Sequence, residues 1–80
     1  MNFDKQIRLI EKTISEFTFE KRTPETFGRI RTKLRQVIPT IGIVFIRPDP
    51  SDTSKIFVDT LLCNGTERRK YEYHGPQALQ

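Results

Sequence analysis

Tyr71, Tyr73 and His74 follow directly on Arg68, Arg69 and Lys70. Tyrosine, histidine and arginine are the residue types from which a metal-independent ribonuclease draws its proton donors, its base and its phosphate-stabilising charge. Closeness along a strand is weak closeness, however, because alternate side chains leave the chain on opposite faces. A ribonuclease centred on Tyr71 and His74 is therefore only a third reading, and the sequence assigns no catalytic residue.

A second chemistry-bearing segment is Arg29-Ile30-Arg31-Thr32-Lys33-Leu34-Arg35. Arginine and lysine on a helix can meet phosphates, which makes Arg29, Arg31, Lys33 and Arg35 the residues of a direct DNA- or RNA-binding alternative. At about 100° per residue, Arg31 and Arg35 fall on one flank of the helix's apolar stripe and Arg29 and Lys33 on the other. They flank the stripe and do not form one groove-facing row. The chain has one cysteine, Cys63, and one histidine, with no partners at ligand spacing, so no metal site is expected. Glycine-rich phosphate loops and nucleophile elbows are also missing, and no cofactor is expected.

Eighty residues suffice for one small domain, and a lone cysteine cannot make an internal disulfide, which favours a reducing, cytoplasmic setting. No apolar run approaches the roughly 20 residues of a membrane helix, and the charged stretch Met1 to Lys5 does not read as a signal peptide. A net charge of +4 and a pI near 9.6 favour acidic partners, although solubility alone accounts for a charge of this size.

These side chains must be carried by elements that the pattern defines. Phe3, Ile7, Ile10, Ile14 and Phe17 are spaced by four and three, the stripe of an amphipathic helix capped by Asn2, with Leu9 off the stripe. Thr23-Pro24-Glu25 opens a second helix, in which Phe27, Ile30, Leu34, Val37 and Ile38 form the buried stripe. Pro39 ends it, and Gly28 inside it suggests a close neighbouring backbone. Thr40 to Arg47 is a β-branched run that reads as a strand, and Pro48-Asp49-Pro50-Ser51-Asp52 as an exposed connection.

Asn64-Gly65 calls for a two-residue hairpin turn between the last two strands. Centred there, the hairpin pairs Asp59 with Lys70 and Val58 with Tyr71. One face then carries Ile56, Val58, Leu62, Tyr71 and Tyr73, with Arg69 snorkelling past the helices. The other carries Phe57, Asp59, Leu61, Arg68, Lys70 and Glu72. The expected fold is α+β: two N-terminal amphipathic helices packed on one face of a three-stranded antiparallel meander, ααβββ. Residues 1–73 form the domain and 74–80 a flexible C-terminal tail.

The outer face places Phe57 and Leu61 near Val44 and Ile46, or near Ile43 and Phe45, within a charged rim. The leading expectation is accordingly a non-enzymatic binding protein. It regulates or inhibits a larger acidic or nucleic-acid-handling protein, or a protein–nucleic-acid complex, through Phe57, Leu61, Arg68, Arg69 and Lys70. A homodimer could use the same face.

Overall fold

The computed structural model describes residues 1–76. Two helices, α1 (Phe3–Ser15) and α2 (Pro24–Val37), precede three strands, β1 (Val44–Pro48), β2 (Lys55–Asn64) and β3 (Glu67–Pro76), in one antiparallel sheet of order β1-β2-β3. This is the expected ααβββ arrangement.

The helix ends follow from local chemistry. Asn2 is extended and its side-chain oxygen accepts the Lys5 N–H at 2.8 Å, which satisfies one of the free donors of the first turn. Thr23 does the same for Thr26 at 3.2 Å, with Pro24 in the first turn where its missing N–H costs nothing. Pro39 forces Ile38 out of the helical region, and α2 stops at Val37.

α1 lies against β2 and β3, and α2 against α1 and β1, so both helices cover the same side of the sheet. The core between them consists of Ile10 and Ile14 from α1, Ile30, Leu34 and Ile38 from α2 and its end, and Val44, Ile56, Val58 and Leu62 from the sheet. Leu9, off the main stripe, packs at its margin because α1 touches α2 as well as the sheet. Gln6 is fully buried. Its Nε2 donates to the carbonyls of Met1 at 2.8 Å and Cys63 at 2.7 Å, fastening the start of α1 to the end of β2. Arg22 anchors the interhelical connector by donating to the Lys55 carbonyl at 2.8 Å.

Several sequence expectations need correction. The hairpin loop is Gly65-Thr66, since Asn64 pairs with Glu67; the register is displaced by two residues from that of a turn centred on Asn64-Gly65. Gly65 takes the first loop position with φ of 63°. A threonine in the second position resists the positive φ that a type I′ turn demands there, whereas a II′ turn needs it only at the first. A two-residue shift leaves every side chain on its expected face while changing its partner. Asp59 thus faces Glu72 instead of Lys70, and Val58 faces Tyr73.

The segment Thr40–Ile43 is not strand. Ile41 N–H closes a turn onto Ile38, and regular pairing starts at Val44. The close approach falls not at Gly28, where an added methyl would meet only the end of the Arg31 side chain at 3.8 Å, but at Gly42, whose N–H donates to the Leu61 carbonyl at 2.7 Å. β3 continues to Pro76, so His74, Gly75 and Pro76 belong to the sheet; the remainder of the expected tail, 77–80, lies outside the described residues.

Candidate docking face of the sheet

Strand parity decides what the uncovered face displays. Because Val44 and Ile46 point into the core side, Ile43 and Phe45 point outward, and they are 58% and 63% exposed. Registered across the sheet from β1 to β3, the outer face is built in rows: Arg47, Phe57 and His74; then Phe45, Asp59 and Glu72; then Leu61 and Lys70, with Ile43 alongside. An open concavity of about 550 Å³ lies over the second and third rows, lined by Ile43, Phe45, Leu61, Asp59, Lys70 and Glu72 among others.

The first row is a stack of planar groups. The His74 ring lies on Phe57 with centroids 4.1 Å apart and planes 4° from parallel, and the Arg47 guanidinium sits 4.1 Å from the Phe57 centroid. His74 Nε2 meets the Asp49 carboxylate at 2.7 Å. Asp49 is only 8% exposed, and its other oxygen accepts the Ser51 N–H at 2.7 Å, so the β1–β2 connection is folded around it. The His74 contact first, then the Ser51 hydrogen bond, holds the Asp49 carboxyl below its ordinary range.

Arg47 also reaches Glu72 at 3.3 Å and Asp59 at 3.9 Å, as the counter-ion of two facing carboxylates. Glu72 is nevertheless pushed up, first by its hydrogen bond with Asp59 and then by burial and the Asp59 charge, with Arg47 opposing. Lys70, expected opposite Asp59, stands opposite Leu61 instead, and among the described residues it makes no ion pair.

Of the residues singled out in the sequence, Phe57, Leu61, Arg68 and Lys70 share this outer face. Arg69 does not. It lies on the helix side, where its guanidinium extends over the Phe3 ring at 4.5 Å and its charge reaches solvent. Ile43, Phe45, Arg47, Asp49, Glu72 and His74 complete the surface. Parity could have singled out Ile43 and Phe45 once Val44 was placed inside, but no local signal joins Asp49 to His74, 25 residues apart.

The ribonuclease grouping is not assembled. Tyr71 and Tyr73 pack on the helix side of the sheet and His74 on the other. Burial and, less strongly, the Glu11 charge push both phenols up, which keeps them protonated and unsuited to act as a base at neutral pH. Tyr73 donates its hydroxyl to the Pro76 carbonyl at 3.0 Å. The basic face of α2 is likewise partly committed: Arg29 is ion-paired with Glu20 and lies 5.7 Å from the Phe17 ring, while Lys33 and Arg35 are exposed and Arg31 half-buried.

Among the described residues no group of three or more His, Cys, Asp or Glu side chains is placed to hold a metal ion, and no helix is long and apolar enough to cross a membrane. Comparison with protein-family models, with curated proteins and with solved structures finds no match to this chain.

Proposed function

We propose that this chain is a small binding protein that regulates or inhibits a larger protein by docking the outer face of its sheet against it. The observation that carries this reading is the set Ile43, Phe45 and Leu61, gathered around one concavity on the face that neither helix covers. Isolated apolar residues on a surface are ordinary, and Phe19, 88% exposed on the interhelical connector, is one such. Three converging on a concavity with a charged rim match the centre-and-rim anatomy of a protein interface. Lys70 and Arg68 supply cations toward the hairpin end, which suits an acidic group on the partner.

The test is capture from a nuclease-treated lysate of the source cells. The tagged wild-type chain is compared with a variant carrying Phe45→Asp, Leu61→Asp, Arg68→Glu and Lys70→Glu, after circular dichroism has shown both to be folded. The same protein should be recovered with the wild type, with or without nuclease, and lost with the variant. Equal recovery by both overturns the reading. Recovery that disappears with nuclease overturns it in favour of nucleic-acid bridging.

A further inference from the structure

The outer face is complementary to itself, and we infer that in the free protein a second copy of this chain covers it, sheet against sheet. The inference rests on the reading of this face as a docking surface and names its occupant before a partner displaces it. Its basis is the arrangement of side chains by column. The column at the β1 edge is apolar, Phe45 of the strand beside Ile43 just before it, and the β3 column alternates in sign, Glu72 beside Lys70.

Two sheets packed with their strands aligned can meet face to face about a two-fold axis that runs either along the strands or across them. An axis along the strands lays β1 over β3 and sets Phe45 and Ile43 on charged side chains. An axis across the strands lays β1 over β1 and β3 over β3. Centred between the Phe45 row and the Leu61 row, it puts Phe45 on Ile43 of the copy and Glu72 on Lys70 of the copy, each contact occurring twice. Asp59 then falls over Leu61 of the copy while keeping Arg47 as its counter-ion at 3.9 Å. Arg68 comes over His74 only at the rim, where solvent screens the two.

The size of the face sets the strength. Three strands about 4.8 Å apart and ten residues of about 3.4 Å each give at most roughly 500 Å² in projection. That lies below the approximately 800 Å² per partner of a standard interface, which places the pair at the weak, transient end and leaves it open to displacement.

Sedimentation equilibrium over a range from about 5 µM to about 1 mM tests this, the range being chosen to span weak association. The mass should rise from 9.4 kDa toward twice that value, and Phe45→Asp should hold it at the monomer. Lys70→Glu alone and Glu72→Lys alone should each be monomeric, since both place like charges together at both contacts. An equimolar mixture of these two variants should restore the dimer, because every Glu then meets a Lys across the interface.

A wild type that stays monomeric at the highest concentration overturns the inference, and so does a mixture that stays monomeric. If capture still depends on Phe45 and Leu61 in either case, the docking reading stands alone. Conversely, a dimer that Phe45→Asp abolishes, together with capture unaffected by the substitutions, removes the regulatory reading and keeps the self-pairing.

Discussion

Two glycine-to-alanine substitutions should move stability in opposite directions, and the structure sets both signs. At Gly42 a methyl group would lie 2.9 Å from Leu61 Cβ, 3.1 Å from the Leu61 carbonyl oxygen and 3.2 Å from Leu61 Cδ2. The first two atoms belong to the frame of β2 and cannot swing away, so either β1 lifts or Leu61 tilts. Overpacking of this kind costs about 1 to 3 kcal/mol. At Gly28 the nearest atom is Arg31 Nη2, at 3.8 Å and at the end of a flexible side chain. There the methyl only restricts the unfolded chain and supports α2, a gain of about 0.5 to 1 kcal/mol.

For a domain of this size each kcal/mol shifts Tm by about 4 to 8 °C. Gly42→Ala should therefore lower Tm by roughly 5 to 20 °C, and Gly28→Ala should raise it by roughly 2 to 8 °C. Thermal unfolding followed by circular dichroism measures both, with urea midpoints at unchanged slope as the check that the unfolded state is the same. Amide shifts in Gly42→Ala should be largest at Ile43 and Leu61, because the outer face is where the strain is released. A neutral Gly42→Ala, or two shifts of the same sign, would refute the close approach of Gly42 to β2 on which the position of Ile43 depends.

Other perturbations test the inner side and the Asp49 contact. Gln6→Glu replaces a buried amide that donates to two carbonyls with an acid that can donate at most one hydrogen bond, so a loss of roughly 2 to 5 kcal/mol is expected in urea unfolding at neutral pH. Gln6→Met, which strands the same carbonyls without burying a charge and also removes the unpartnered Oε1, should cost less, and equal losses would show that the site is wet. Asp49, whose ordinary value is near 3.8, is held lower in the folded state. A carboxylate of that kind adds stability that is whole above its unfolded value and is lost as pH falls through its folded one. Asp49→Asn should consequently show a smaller fall in Tm than the wild type on acidification from about pH 5 to about pH 2, and parallel curves would mean that the His74 and Ser51 contacts are not formed in solution.

What could be read from the residues, and what could not, divides by the range of the interaction. The caps at Asn2 and Thr23, the stop at Pro39 and the stripes of both helices are local, and each appears where its side chains place it. The two faces of the hairpin are also local, because parity survives any even displacement of register. The register itself was not legible from parity. Turns centred at Asn64-Gly65 and at Gly65-Thr66 bury the same side chains and differ only in cross-strand partners, and the observed one asks a positive φ of Gly65. Gln6 was unreadable for a related reason: its burial is fixed by the Cys63 carbonyl, 57 residues away, and nothing in the helical stripe foreshadows that partner. The Asp49–His74 pair is likewise a product of register, since only the observed alignment brings His74 beside Phe57 and within reach of the connection that holds Asp49.

The composition of β1 gives the reason to look outward for function. Val44, Phe45 and Ile46, with Ile43 just before the strand, are apolar at four successive positions, the pattern of a strand sheltered on both sides, whereas β3 alternates and carries Arg68, Lys70, Glu72 and His74 on its outer side. Two short helices can cover one side of a three-stranded sheet, and here α2 takes the inner side of β1 while its outer side is left bare. An edge strand with this exposure invites association, and only Arg47 and Pro48 at its far end blunt it. β1 therefore has the residues of an interior strand in the position of an edge, a mismatch that folding cannot relieve, since inverting the strand would expose Val44 and Ile46 in place of Phe45. The docking and self-pairing proposed above would each relieve it by bringing a surface against Ile43 and Phe45.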